Sequence, residues 1–210
     1  MNHRQTGPPS PVPGPSGGIW LVAPRQPAPP PDYFGTPEKR ALALAVAKRW
    51  MGTPFVKFAR VCGAGVDCVQ LCGAFYIECG LVDRFTPPKY HLDAGSHRET
   101  SQVLEYVETL PTKLRLLWAS PIGATRIPPI TIGDLLCFKF GRIVHHVGMV
   151  LSDAGVERPP EFLHVFKHGV VYACPLDDPA WLGRLVAVYR PTAPRSSVLR
   201  PPSPPPQGAP

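Results

Sequence analysis

The 210-residue sequence lacks several features, and each absence removes a class of protein. No stretch approaches the ~20 consecutive apolar residues of a membrane-spanning helix, so no membrane partner is expected. Residues 1–30 lack the basic, apolar, then small-residue layout of a secretory signal, and synthesis and folding in the cytoplasm are expected. There is no Cys-x2-Cys pair, which argues against zinc, and no internal repeat, which excludes a solenoid. Charged residues make up only 18% of the chain and form no basic run. The formal charge of +7 divides into one unit in residues 1–35, two in 191–210 and four between, a balance too mild to point to nucleic acid.

Proline is what the chain has in excess. Eleven of the 30 prolines fall in residues 1–37, eight in 191–210, and eleven in the 153 residues between. Proline has no amide donor and a fixed φ, so Pro8-Pro9-Ser10-Pro11 and Pro201-Pro202-Ser203-Pro204-Pro205-Pro206 cannot enter helices or sheet ladders. Residues 1–35 and 192–210 are therefore expected to be disordered tails around one domain over 36–191, a length sufficient for a core. The six cysteines are read as reduced thiols, because several lie in apolar runs such as Leu135-Leu136-Cys137-Phe138 and no export signal is present.

Local signals place the elements. Thr36 and Pro37 offer an N-cap and a first helical residue for a helix over 38–50, which Gly52-Thr53-Pro54 stops. Residues 68, 71, 72, 75 and 79 follow a helical stripe, with Asp67 as N-cap and Gly80 beyond the end. Residues 97–110 carry a weaker helical spacing. Runs at 135–140, 144–151, 162–166, 170–174 and 185–190 read as strands, with turns at Gly141-Arg142 and His168-Gly169. Helices followed by an antiparallel meander of about five strands make an α+β fold.

Cys68 would then open a buried helix, where free amide groups and the dipole favour thiolate, with Asp67 partly opposing. A thiol nucleophile needs a base, and the base an orienting partner. Strand parity puts His146, Gly148 and Val150 on one face and His145, Val147, Met149 and Leu151 on the other, the glycine leaving room beside the imidazole; a one-residue bulge would exchange the two histidines. His164, in the next strand, can lie across from His146 and fix its tautomer. Cys72, Cys79, Cys137 and Cys174 are read as packing, His145 and His168 as structural, and Cys62 as a loop thiol of no assigned role.

These residues, in this order, resemble the NlpC-like cell-wall cysteine peptidases of the papain-like superfamily. The carrying motifs are Gly52-Thr53-Pro54-Phe55, Gly65-Val66-Asp67-Cys68, Gly133-Asp134-Leu135, His146-Val147-Gly148-Met149 and His164. The ending from Trp181 to Pro191 looks like phage tail-associated members. The resemblance implies a papain-like fold and hydrolysis of an amide bond in a peptidoglycan stem peptide without cofactor. Cys68 would be nucleophile, His146 base and then acid, His164 the orienting residue, and the Cys68 amide part of the oxyanion site. It also implies substrate contacts from Asp67, Phe55 and Val69. The last two depart from the family's usual tyrosine and serine, which puts preference for a free stem-peptide amine in doubt.

Other functions stay open at this point. The same fold could serve as a tail-assembly module with little activity and phage tail-tip partners. The same triad could run an acyltransferase or amidase. The P-x-x-P tracts could bind an SH3-like domain. Oligomeric state is not readable.

Overall fold

The computed structural model describes residues 29–87, 90, 100–109, 113–153 and 158–193. Thr36 accepts a hydrogen bond from the Lys39 N–H, Pro37 takes the first helical position, and α1 runs Pro37–Trp50. It buries Ala43, Val46, Ala47 and Trp50, and the Trp50 indole N–H donates to Glu78 at 3.2 Å. A two-stranded hairpin follows, β1 (Arg60–Val61) and β2 (Gly65–Val66). Asp67 then caps α2 (Cys68–Glu78), which ends at Gly80 with φ of 73°. That positive φ costs glycine little and other residues more.

After α3 (Gln102–Glu108) come six strands and one short helix: β3 (Leu114–Ala119), β4 (Leu135–Phe140), β5 (Ile143–Val150), β6 (Glu161–His164), β7 (Tyr172–Pro175), α4 (Pro179–Leu182) and β8 (Leu185–Pro191). They form one antiparallel sheet in the order β3-β8-β4-β5-β6-β7. The α+β class is as expected. Among the described residues the sheet has six strands rather than about five, because the half-exposed β3 shows no clean alternation of buried and exposed residues. The meander also covers only β4 to β7, since β8 returns to pair with β4 and β3. The helix expected over 97–110 is observed as α3; residues 91–99 and 110 lie outside the described residues.

The sheet separates two cores. On one face α2 and α3 pack on β5, enclosing Cys72, Phe75, Cys137, Val147, Met149 and Leu163. On the other, Leu136, Phe138, Val150, Phe162, Leu185 and Val188 lie beneath Trp181 of α4. Asp134, of the Gly-Asp-Leu motif, is fully buried and takes a two-pronged ion pair from Arg190, 3.0 Å to Oδ1 and 2.8 Å to Oδ2. It also accepts the Thr131 N–H. Burial raises its pKa and Arg190 opposes the rise, so the motif ties the start of β4 to the end of β8.

The N-terminal boundary lies earlier than residue 36. Asp32 bridges to Thr192, the Tyr33 N–H donates to the Pro191 carbonyl, and Phe34 is only 2% exposed against Phe75. Proline content alone hid this strap, because its anchors are the aromatics between the prolines. The tail readings for 1–28 and 194–210 lie outside the described residues.

Candidate active site

Cys68 is the first residue of α2, and the turn before it is locked by Asp67. That carboxylate is fully buried: Oδ1 accepts the Gln70 N–H at 2.9 Å, and Oδ2 accepts the Phe58 N–H at 2.6 Å and the Tyr90 hydroxyl at 2.7 Å. Phe58 adopts φ of 62° to make its bond, a left-handed conformation uncommon for a side-chain-bearing residue. Both carboxylate oxygens thus serve the protein's own donors. Asp67 acts here as cap and loop anchor.

The loop ahead is docked across the sheet. Gly52 and Phe55 donate to the carbonyls of Val171 and Gly169, and the Val171 N–H returns to the Thr53 carbonyl. The Gly-Thr-Pro-aromatic motif therefore joins the end of α1 to the β6–β7 connection. Phe55 is half-buried against the first core, and Val69 lines a small apolar cavity with Cys72, Tyr76 and Phe85.

The thiol meets β5 where β6 has left it. The β5–β6 ladder holds Met149 opposite Leu163 and Val150 opposite Phe162. Leu151 donates toward β6 and Val150 toward the start of β4, so odd-numbered residues of β5 point their main-chain groups to the β6 side. Past the end of β6, the Cys68 Sγ takes that place: it lies 3.9 Å from the His145 carbonyl oxygen, and the Val147 N–H is directed at it. The sulfur thus sits against the main chain on both sides of His146.

The His146 ring leaves the strand toward the second core, among Phe138, Phe140, Phe166 and Trp181. Its Nε2 lies 3.1 Å from Nδ1 of His164, a fully buried residue stacked on Phe162. The structure therefore brings His146 and His164 into direct contact and sets Cys68 beside the backbone that carries His146. The sulfur's bonds are to main chain and the ring's is to His164. Because that bond uses Nε2, the nitrogen left for a thiol proton is Nδ1.

Two local expectations need correction. The space beside Gly148 is filled rather than open: a Cβ there would lie 2.8 Å from Phe162 and 3.3 Å from the His164 Cβ. Glycine is required so that β6 can bring His164 in. A bulge is also present at His145, since Phe138 pairs with His146 and Lys139 with Val144. It sits on the other side of His146 from Val147, Met149 and Val150, so parity through His146 is unchanged.

In the resting site the thiol and both imidazoles are uncharged. Burial pushes the Cys68 thiol up to about 12, the Asp67 charge adds to the rise, and the N–H groups of Val147, Val69 and Cys68 itself pull the other way. The dipole argument for a thiolate is outweighed, because Cys68 is only 3% exposed and desolvation of the anion dominates. Burial likewise holds His146 well below the usual histidine range, with the charges of His164 and His145 contributing, and brings His164 down to about 4.

Sequence reasoning missed three participants. Tyr90 anchors Asp67, Trp181 lies 4.5 Å and 5.3 Å from the His164 and His146 ring centres, and Cys174 Sγ lies 3.3 Å from His164 Nε2. A hairpin at His168-Gly169 does bring 172–174 alongside 162–164. Which side chain reaches the ring, however, depends on register. Among the described residues no group of three or more His, Cys, Asp or Glu is placed to hold a metal ion.

A scan of protein-family models and a search of curated proteins give no match. Solved structures do match. A protein similar to lipoproteins of the NLP/P60 family from Staphylococcus aureus subsp. aureus Mu50 aligns with a TM-score of 0.50 and 16% identity. The alignment covers 78% of this chain and 44% of that one, so the chain spans less than half its length. The fold is similar to that of NlpC/P60 proteins. The NlpC/p60 domain of the peptidoglycan hydrolase SagA aligns at 14% identity and TM-score 0.41, over 73% of this chain and 98% of that domain. An NlpC/P60 family protein from Bacillus cereus ATCC 10987 aligns at 19% and 0.43, over 76% and 40%.

Proposed function

We propose that this NlpC/P60-like domain is a cysteine peptidase that hydrolyses an amide bond in peptidoglycan stem peptides. The observation that carries the reading is the buried His146–His164 pair on the strand against which the helix-start thiol of Cys68 rests. In the reaction the sulfur leaves the β5 main chain and turns to meet the His146 ring, its proton passes to His146 Nδ1, and it attacks the scissile carbonyl carbon. The N–H groups at the start of α2 face the carbonyl oxygen as it gains charge. The C–N bond then breaks, the amine leaves with the proton from His146, and water hydrolyses the thioester. His164 accepts from His146 Nε2–H throughout and keeps the ring aimed. Delivery by a phage tail or related injection device completes the proposal and rests on the sequence from Trp181 to Pro191 alone. The test is release of new amino groups from purified peptidoglycan: the wild type releases them and Cys68→Ala does not, whereas equal release removes the cysteine mechanism.

A second reading, a tail-assembly or structural module that keeps the fold with little activity, is favoured by the closed, neutral thiol. The two separate on thiol labelling with and without muropeptides. A peptidase shows protection or acceleration at Cys68 when substrate is present, and a structural module shows neither.

A further inference from the structure

His164 has two ring nitrogens and is enclosed by Phe162, Tyr172 and Trp181, with ring centres 4.8, 4.4 and 4.5 Å away. One nitrogen meets His146. The other, Nε2, faces the thiol of Cys174 at 3.3 Å, on edge strand β7, where Phe162 pairs with Cys174 and His164 with Tyr172. Cys174 is half-buried, on the rim of the second core. His164 thus sits between the His146 ring and the Cys174 thiol.

We propose that Cys174 is a positioning residue that sets the tautomer of His164, and through it that of His146; this rests on the peptidase reading above. The argument is a count of protons. A neutral imidazole carries one N–H. If the Cys174 S–H donates to His164 Nε2, the His164 proton is on Nδ1 and donates to His146 Nε2, so His146 carries its own proton on Nδ1. That nitrogen then cannot accept from Cys68. If His164 instead holds its proton on Nε2 and donates to the Cys174 sulfur, Nδ1 accepts from His146 Nε2–H, and His146 Nδ1 presents a lone pair. Both arrangements hold the same number of protons. The second is the competent one, and the partial exposure of Cys174 lets its S–H turn aside so that the sulfur accepts.

The experiment resolves the imidazole nitrogens by 15N NMR in the full chain above pH 6.5, for wild type, Cys174→Val and Cys174→Ser, with hydrolysis of peptidoglycan measured alongside. Valine removes the acceptor while suiting a strand, and serine restores a donor and acceptor. The wild type and serine variant should show His164 protonated on Nε2. The valine variant should lose that preference and about fivefold to tenfold in kcat, with KM unchanged, the scale of one hydrogen bond. A wild-type His164 protonated on Nδ1, or a valine variant that keeps the wild-type tautomer, overturns the assignment. If no form hydrolyses peptidoglycan, the tautomer readout still decides the role of Cys174, and the failure falls on the peptidase reading alone.

Discussion

Asp67 holds Cys68 in place and at the same time opposes its ionisation. Its carboxylate satisfies three donors around the start of α2, and its charge adds to the burial that pushes the thiol up to about 12. Asp67→Asn keeps an oxygen for the cap but removes the charge, so the Cys68 thiol should become easier to ionise. Iodoacetamide should then label Cys68 faster at any fixed pH below 12, and unchanged labelling would show that the charge is not felt. The histidines carry the opposite electrostatic signature. In an unfolded chain each titrates near ~6.5, while the folded His164 lies at about 4 and His146 well below its usual value. Between about pH 6.5 and 4 the unfolded state binds protons that the fold excludes, so stability falls with falling pH, by up to about 1.4 kcal/mol per unit for each histidine. Thermal melts from pH 7 to 5 should show that loss, and His164→Asn should lessen its slope. Parallel profiles for the two proteins would contradict it.

At the scale of elements, the site depends on two close approaches, α2 against the free edge of β5 and β6 against Gly148. Gly148→Ala places a methyl 2.8 Å from Phe162 and 2.9 Å from the Leu163 carbonyl. The strands must part to admit it, at a cost of about 1–3 kcal/mol. Chemical denaturation should show that loss together with reduced hydrolysis, because His164 moves with β6; a variant with wild-type stability would mean the strands can flex at no cost. Elements set by local chemistry were legible in the sequence. Thr36-Pro37, Asp67 and Gly80 mark the ends of α1 and α2 through their own side chains or φ, and alternation in 146–151 assigns each residue to its face. What depends on distant partners was not legible. The bulge at His145 arises from the fit of β5 to β4, the contact of Cys174 from a hairpin register, and the neutral thiol from closure of the cores over Cys68. Local reasoning at a helix start points to thiolate, and only tertiary burial reverses the sign.

For the whole molecule, the strap formed by residues 31–35 closes the fold against β8. Phe34 packs against Phe75 of α2, and the Tyr33 hydroxyl donates to the Cys79 carbonyl at 2.7 Å. Phe34→Ala should therefore destabilise the domain by about 3–5 kcal/mol, as removal of a buried aromatic does. A denaturation midpoint equal to wild type would show that the strap is dispensable. The two cores meet at β5, which carries α2 on one face and the His146 ring on the other, so Cys68 and His146 share a strand and the proposed reaction requires the thiol to reach the ring past it. Digestion of defined muropeptides, with fragments identified by mass, tests that account most directly. The account predicts that wild type cuts one amide bond of the stem peptide and that Cys68→Ala and His146→Ala leave it intact. Intact muropeptides after incubation with wild type, or the same fragments from Cys68→Ala, would contradict it.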